Sequence, residues 1–160
     1  MTTETRRSSL DHRRAAFAYR VVSEAAQDKN VKEDYTGLAQ NLPTMILQNG
    51  LGQAVAFLMS KAKGQEGSAH GRLLNHLARW LFQDVDDEKP EEKKHPFLSD
   101  IGAAGTERLM AALLKSKRPE WARAQHESVV FATWLKRFAE ALIPKLDRQP
   151  KAEGRGSDGR

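Results

Sequence analysis

Apolar residues recur at intervals of three and four along most of the 160-residue chain, which is the spacing of one helix face. This spacing predicts six helices. They begin at Ser8 or Ser9, Lys32, Leu51, Ala69, Ala103 and Pro119, and the last ends near Leu142. No segment alternates apolar and polar residues between hairpin turns, so no sheet is expected. The predicted fold class is therefore all-α, a single-domain bundle of about six helices.

The third predicted helix, from about Leu51 to Lys63, is apolar almost all the way round. Asn49 and Gly50 precede it, and both residue types tolerate the left-handed conformation that ends a helix. Gly64 supplies the next helix stop. A helix without a polar face is normally surrounded by other helices. The sequence therefore places this helix inside the bundle.

The sixth predicted helix has an apolar face wide enough to need partners on two sides. Its main seam alternates in steps of three and four, as in a coiled coil. The seam consists of Trp121, Ala124, Ser128, Phe131, Leu135, Phe138 and Leu142, and it is widened by Val130, Trp134 and Ala141. The partners can all lie within the domain, or one can be another subunit. The internal arrangement is favoured.

Individual residues of the second and fifth helices lead to two further predictions. Pro43 falls inside the pattern of the second helix, where it either kinks the helix or restarts it, because proline lacks a backbone donor and clashes with the preceding turn. In the fifth helix four apolar side chains are expected to face inward. They are Leu109, Met110, Leu113 and Leu114.

Two basic parts of the chain are separated by an acidic segment. The net charge is +5, with +4 in residues 1–82, −4 in residues 83–100 and +4 in residues 101–146. We expect an N-terminal arm at 1–8, a helical bundle at 9–146 with a mobile acidic connector at 84–100, and a disordered basic tail at 147–160. A moderately basic surface of this kind attracts polyanions, although many soluble proteins of similar charge bind none.

Composition excludes several classes of protein. There is no cysteine, which removes disulfides, thiol catalysis and cysteine-bound zinc and fits a reducing cytoplasm. No apolar run is long enough to span a membrane, and the first residues lack the apolar core of a secretory signal. We therefore expect a cytoplasmic protein with no membrane partner.

Enzyme signatures are missing from the sequence. The glycines fit neither a phosphate-binding loop nor a dinucleotide fingerprint, and no two of the five histidines have the i, i+4 spacing of a helical zinc site. Four glutamates of the last helices are interpreted as solvated surface residues: Glu107, Glu120, Glu127 and Glu140. The sequence therefore predicts no catalytic residue, no metal and no cofactor.

The basic residues are better organised than any catalytic candidates. One group of candidate RNA-binding residues consists of Lys61, Lys63, Arg72, Arg79, Lys136 and Arg137, and a second consists of Arg13, Arg14 and Arg20. Residues of this kind can follow a phosphate backbone without reading bases. Each also has a plain structural explanation: the two lysines of the third helix suit a helix C-terminus, for example, and Lys136 can pair with Glu140. The pattern as a whole carries the prediction.

Two distant stretches resemble a known family. The first is Asn49-Gly50-Leu51-Gly52-Gln53, followed by an apolar helix that ends in Ser60-Lys61, and the second runs from Trp134 to Leu142. Residues 14–19 and 74–81 add to the likeness, which spans most of residues 10–142. The chain resembles the small all-helical subunit of the Cmr (type III-B CRISPR) RNA-guided effector complex. The connector 84–100 and the tail depart from that pattern.

The resemblance implies a non-catalytic role in antiviral defence. Subunits of this kind stack with neighbouring copies of themselves into a filament, lie beside other Cmr effector subunits, and help to line the channel in which guide RNA pairs with target RNA. The glycines of the first stretch are interpreted as a close-packed helix corner. The alternative is a helical protein-interaction adaptor without nucleic-acid binding. A helix-turn-helix DNA-binding protein is disfavoured, because the apolar third helix is a poor recognition helix.

Overall fold

The computed structural model describes residues 3–85 and 95–144. Within these ranges the chain forms helices and no strand, so the predicted all-α fold class is confirmed. The elements are α1 (Thr3–Ala26), α2 (Lys32–Asn49), α3 (Leu51–Ala62), α4 (Ala69–Phe82), a 3₁₀ turn (Gly105–Glu107), α5 (Arg108–Lys115) and α6 (Arg118–Leu142). The predicted disordered tail, 147–160, and the middle of the predicted connector, 86–94, lie outside the described residues.

The first helix begins at Thr3, before the predicted start at Ser8 or Ser9. Both serines therefore lie inside the helix and not at its cap. The sequence between Thr3 and Arg7 contains neither glycine nor proline, so it has no residue that would stop the helix from extending this far back. Most of the segment predicted as an N-terminal arm, 1–8, is helical.

The second helix continues without a break through Pro43, which is buried. The predicted restart at this residue does not occur. A proline within a helix removes a backbone hydrogen bond, and tertiary packing offsets that loss here. Leu42 and Ile46 are fully buried on either side of it, and the contact between α2 and α6 is the most extensive helix pairing in the described part of the chain.

Three stacked aromatic rings join α1, α4 and α6 at the centre of the bundle. The centroid of Trp80 lies 5.0 Å from that of Phe131, and the centroid of Phe17 lies 5.9 Å from Trp80 and 5.8 Å from Phe131. Trp80 and Phe131 are fully buried. Large aromatic side chains dominate the energetics of such cores, so this cluster fixes how the three helices pack together.

The third helix is not enclosed on every side, contrary to the prediction. Its buried residues are Leu51, Ala54, Val55, Leu58 and Ala62. Gln53, Ala56 and Ser60 are exposed. The exposed positions hold small or polar side chains that lose little by contact with water. The sequence pattern therefore overstated how deeply this helix is buried.

The fifth helix is shorter than predicted and presents one face to the core. It begins at Arg108, after a 3₁₀ turn that starts at Gly105, whose φ is +67°. Leu109 and Leu113 are buried, but Leu114 is 72% exposed. Consecutive residues of a helix point in directions about 100° apart, so a two-turn helix that buries Leu113 leaves Leu114 in solvent. The predicted inward orientation of Leu114 is wrong.

Both described ends of the predicted connector pack against the bundle. The amides of Phe97 and Leu98 donate to the carbonyl of Leu81 at 2.8 and 3.2 Å. Leu98 is fully buried and Val85 nearly so. The ring of Phe97 lies 6.1 Å from that of Trp80. Apolar residues at the two ends therefore anchor a segment that composition alone marked as polar.

Candidate nucleic-acid interface

The nine basic residues predicted to bind RNA lie in four different settings. Three of them lie together where α1 meets the end of α4: Arg13, Arg20 and Arg79. Carboxylates bind Arg14 and Arg72. The end of α3 carries Lys61 and Lys63, and α6 carries Lys136 and Arg137. The α3–α4 turn and the end of α4 are separated by the length of that helix, about 20 Å for fourteen residues. The candidates therefore do not form a single compact site.

The guanidinium of Arg14 is bound by a buried carboxylate. Its Nε donates to Glu127 Oε1 at 2.7 Å and its Nη2 donates to Glu127 Oε2 at 2.8 Å. Trp80 Nε1 also donates to Glu127 Oε1, at 2.9 Å. The hydrogen bond to Glu127 raises the pKa of Arg14, against the opposing effect of burial. Arg14 therefore fixes α1 to α6, and its charge is neutralised within the fold.

The interpretation of Glu127 as a solvated surface residue was wrong. Only 3% of it is exposed. One signal in the sequence pointed to this position: Glu127 stands three residues after Ala124 and four before Phe131, on the face of the apolar seam. A carboxylate on a buried face needs a cationic or hydrogen-bonding partner, and Arg14 and Trp80 supply both.

Arg72 is also neutralised within the fold. Its Nη2 donates to Asp28 Oδ2, in the turn between α1 and α2. Both side chains are roughly one-third exposed, with values of 30% and 27%. An ion pair of this exposure contributes little to stability, but its carboxylate competes with any external phosphate. Arg72 is consequently a weaker candidate than its position on α4 suggested.

Arg13 and Arg20 lie beside the aromatic core without a carboxylate partner in the described part of the chain. Arg13 donates to the side-chain oxygen of Gln83, and Arg20 donates to the carbonyl of Val85. The Arg13 Cζ lies 5.9 Å from the Trp80 ring centroid, and the Arg20 Cζ lies 5.3 Å from that of Phe17. Partial burial lowers the pKa of Arg13, while the charge of Glu127 opposes that effect.

Arg79 joins the same region from α4. Its Cζ lies 5.3 Å from the Phe17 ring centroid, on the ring that Arg20 also contacts, and its Nε donates to the carbonyl of Asp84 at 3.1 Å. The sequence placed Arg79 in a different group from Arg13 and Arg20. The fold brings these three arginines together around Phe17 and Trp80, and we call them the arginine strip.

The remaining candidates are more scattered. Lys61 and Lys63 are exposed at the C-terminal end of α3, where Lys63 adopts a left-handed conformation with φ of 51°. Arg137 is exposed and Lys136 half-buried on α6. None of these four side chains makes an ion pair with another described residue. They are available to an external anion, but they have no common support.

A second network outside the candidates involves Arg108. Its Nη2 donates to Asp100 Oδ2 at 2.8 Å and lies 3.5 Å from Asp84 Oδ2, and its Cζ lies 4.7 Å from the Phe82 ring centroid. This arginine links the beginning of α5 to both described ends of the acidic segment.

The Asn49–Gln53 stretch forms the corner between α2 and α3, as predicted. Gly50 has φ +85° and ψ 161°, a backbone conformation that residues other than glycine rarely adopt. Gln125 Oε1 accepts from the amide of Leu51 at 3.0 Å and thereby caps α3. A Cβ atom on Gly52 would lie 2.7 Å from Trp121 Cζ2. These glycines are therefore explained by close packing.

Two buried titratable side chains, Tyr35 and His76, are partners of each other inside the fold. The Tyr35 hydroxyl and Nδ1 of the buried His76 share a hydrogen bond of 2.7 Å. Burial lowers the pKa of His76 to about 3 and raises the pKa of Tyr35 above its usual value. Within the same residues no three His, Asp or Glu side chains are grouped as a metal site would require. No described helix is long and apolar enough to cross a membrane.

Comparison with known proteins gives one consistent result. Residues 10–142 match the family described as CRISPR-associated protein (Cas_Cmr5). The chain is 35% identical over 130 residues to the CRISPR system Cmr subunit Cmr5 of Thermus thermophilus, covering 81% of this chain and 91% of that protein. It is 29% identical over 129 residues to the protein of the same name from Thermotoga maritima, covering 81% of each.

A solved structure has the same fold. The crystal structure of a CRISPR-associated Cmr5 family protein from Thermus thermophilus superimposes with a TM-score of 0.60 at 29% identity. The match covers 83% of this chain and 96% of that one. The matched range includes most of α1 and every later helix, together with the corner at Gly50 and the Arg14–Glu127 pair.

Proposed function

Because the chain belongs to the CRISPR-associated Cas_Cmr5 family, we propose that it is a non-catalytic structural subunit of a Cmr-type (type III-B) CRISPR ribonucleoprotein effector. In this role it packs beside other Cmr subunits and neighbouring copies of itself in a filament. It supports guide and target RNA through contacts to the phosphate backbone. The observation that carries the proposal is the family match over residues 10–142, which spans the helical bundle.

The charge of the described surface is compatible with such a role. Several arginines and lysines, including Arg13, Arg20, Lys61 and Arg137, make no ion pair with described residues. Positive charges that are not neutralised internally can replace the counterions of RNA phosphates. The large aromatic side chains Trp80 and Phe131 are buried in the core and unavailable for base stacking. Contacts through charge alone would leave sequence recognition to guide–target pairing.

The buried polar groups support a structural role. Glu127 is bound by Arg14 and Trp80, and His76 by Tyr35. Glu127 connects three helices and His76 connects two, and each has the partners that a buried polar group requires. Their chemistry is used to hold the fold together, which is what a packing subunit needs.

Assembly is the direct test of this proposal. The tagged chain is co-expressed with the other subunits of its effector and a guide RNA, and the purified particles are analysed for protein and RNA. We expect the chain to copurify with guide RNA and with the other subunits, in several copies per particle. A protein that binds the other subunits but is dispensable for the retention and protection of RNA would support the alternative, an interaction adaptor without nucleic-acid contacts.

The RNA contacts are tested separately with the isolated chain. Filter binding of unrelated RNA and duplex DNA across a salt series should show binding that does not depend on sequence and weakens steeply with salt. The combined variant Lys61→Ala, Lys63→Ala and Arg72→Ala tests the first group of candidates. If RNA binding is the same for this variant and the wild type, these three residues are not part of the contact surface.

A further inference from the structure

We propose that Arg13 and Arg20, the two α1 arginines of the arginine strip, are the principal place where this chain holds the phosphates of single-stranded RNA. The inference rests on the proposed function and assigns its contact to a defined surface. It favours these two arginines over the lysines at the end of α3, because both guanidinium groups lie against aromatic rings and donate to neutral acceptors.

The aromatic core orients the guanidinium groups of the strip. Arg20 and Arg79 both lie 5.3 Å from the centroid of the Phe17 ring, and Arg13 lies 5.9 Å from that of Trp80. The guanidinium is planar, so an arginine that lies against a ring still presents the N–H donors at its edge to a phosphate. Support of this kind reduces the side-chain entropy that is lost when a ligand binds.

Neutral acceptors hold Arg13 and Arg20 without removing their charge. The partner of Arg13 is an amide oxygen, and the partner of Arg20 is a backbone carbonyl. Each guanidinium has five N–H donors, so one such bond leaves most of them for a ligand. Arg14 and Arg72 differ, since a carboxylate neutralises each of them.

Described carboxylates in this part of the bundle are paired with other cations. Glu127 is bound at both oxygens by Arg14, and Asp100 is bound by Arg108 at 2.8 Å. Asp84 is exposed and lies 3.5 Å from Arg108. No described carboxylate forms an ion pair with Arg13 or Arg20, so the charge of these two arginines remains for an external anion.

The spacing of the strip suits a nucleic-acid backbone. Arg13 and Arg20 are seven residues apart on α1, a rise of about 10 Å along the helix. Two cations at this separation can contact different phosphates of one strand, while Arg79 lies against the same Phe17 ring as Arg20.

A pair of double variants with the same change in charge tests the proposal. The strip variant is Arg13→Gln with Arg20→Gln, and the control is Arg118→Gln with Arg123→Gln, two exposed arginines on α6. Binding of a short fluorescent single-stranded RNA is followed by anisotropy over a salt series. We expect roughly tenfold weaker binding for the strip variant, and a salt slope reduced by about 1.4, which corresponds to two lost phosphate contacts. The control should change affinity only slightly.

A charge-preserving variant separates folding from binding. Circular dichroism melts report whether either glutamine variant has lost its fold. Arg13→Lys with Arg20→Lys keeps both charges but lacks the planar fork of arginine. It is expected to retain the wild-type salt slope while binding RNA more weakly. A slope that falls in the lysine variant as it does in the glutamine variant would contradict phosphate contact through charge at these positions.

The outcomes distinguish this inference from the function beneath it. Equal weakening by the strip and control variants, or wild-type affinity in the strip variant, would overturn the placement of the site while leaving RNA binding intact. A wild-type chain that binds no RNA, alone or within the assembled effector, would overturn the proposed RNA support and this inference together. Binding to duplex DNA that matches RNA binding in both affinity and variant response would overturn the assignment to single-stranded RNA.

Discussion

Glu127 on α6 holds the guanidinium of Arg14 on α1 at two points, across 113 positions of sequence, with N–O distances of 2.7 and 2.8 Å. Their side chains are only 4% and 14% exposed. Trp80 on α4 completes the network by donating to the same carboxylate. One buried acid therefore ties together the three helices that also share the aromatic stack.

Removal of one partner of this ion pair should destabilise the fold more than removal of both partners. Glu127→Ala leaves the largely buried Arg14 with only the long contact to Asp11 at 3.5 Å, and we expect a loss of about 3 kcal/mol in the free energy of unfolding. The double variant Arg14→Met with Glu127→Leu replaces both charges by apolar groups of similar size. It should recover much of that loss, because no buried charge remains without a partner.

Urea unfolding of the wild type, the single variants and the double variant measures this coupling directly. The exposed pair formed by Arg108 and Asp100 supplies a reference, since Asp100→Ala should cost about 1 kcal/mol or less. Additive losses in Arg14→Met and Glu127→Leu would contradict a coupled buried pair.

The sequence predicted the parts of the fold that short-range chemistry decides. Asn49, Gly50 and Gly64 mark helix boundaries that the structure shows within a residue or two, because a helix stop depends on local backbone conformation. The restart predicted as one possibility at Pro43 does not occur, and the burial predicted for Leu114 was wrong, since both depend on what packs against the helix. Periodicity gives the face of a helix but not the extent to which it is covered.

The partners of charged residues could not be predicted in the same way. The sequence put Arg14 and Arg20 in one group of candidates, yet Arg14 is bound by Glu127 while Arg20 donates to a carbonyl beside α4. These differences arise from contacts between residues that are far apart in sequence. Helical position gave the direction of each arginine, and only the fold determines which of them a carboxylate neutralises.

Glycine substitutions should separate close packing from helix propensity. A Cβ on Gly52 would lie 2.7 and 2.9 Å from two carbons of the Trp121 ring, so Gly52→Ala must displace that ring. We expect a loss of about 1–3 kcal/mol, as for other overpacked sites. The matched control is Gly37→Ala within α2, where no atom lies within 4 Å of the added Cβ.

Gly37→Ala should stabilise the protein by about 0.5–1 kcal/mol, because alanine favours a helix interior over glycine. Thermal melts of both variants show whether each substitution stabilises or destabilises the protein. Near-ultraviolet circular dichroism reports the displacement of Trp121. A stabilised Gly52→Ala protein would mean that Trp121 moves aside freely and that the corner is not tightly packed.

The buried pair of Tyr35 and His76 should make the fold sensitive to acid. The pKa of His76 is lowered to about 3 in the folded chain, whereas an unfolded histidine titrates near its usual value of about 6.5. Between these values the unfolded state binds the proton and the native state does not, so stability falls as the pH is lowered. The contribution is about 1.4 kcal/mol per pH unit within that window, and it is fully present above about pH 6.5.

Urea unfolding at about pH 7 and about pH 5 tests this linkage in the wild type and in His76→Phe. The variant lacks the titrating group, so its stability should depend less on pH, even if its overall stability is lower because Tyr35 loses its hydrogen-bond partner. His12→Gln, which removes an exposed histidine, should keep the wild-type dependence. An identical pH dependence in wild type and His76→Phe would rule out His76 as its source.

Position 125, where Gln125 caps α3, should tolerate a charged hydrogen-bond acceptor but not an apolar side chain. Its Oε1 lies 3.0 Å from the amide of Leu51, in the first turn of a helix that has no acidic residue there. Gln125→Leu leaves that amide without its acceptor, and the expected cost is about 1 kcal/mol. Gln125→Glu keeps an oxygen in place and adds a negative charge at the positive end of the helix dipole, which should make it neutral or stabilising by a few tenths of a kcal/mol. Thermal and urea unfolding at low and high salt measure both effects, and salt should diminish only the gain in Gln125→Glu. Equal destabilisation by leucine and glutamate would show that shape at this corner, and not hydrogen bonding, determines the contribution of Gln125.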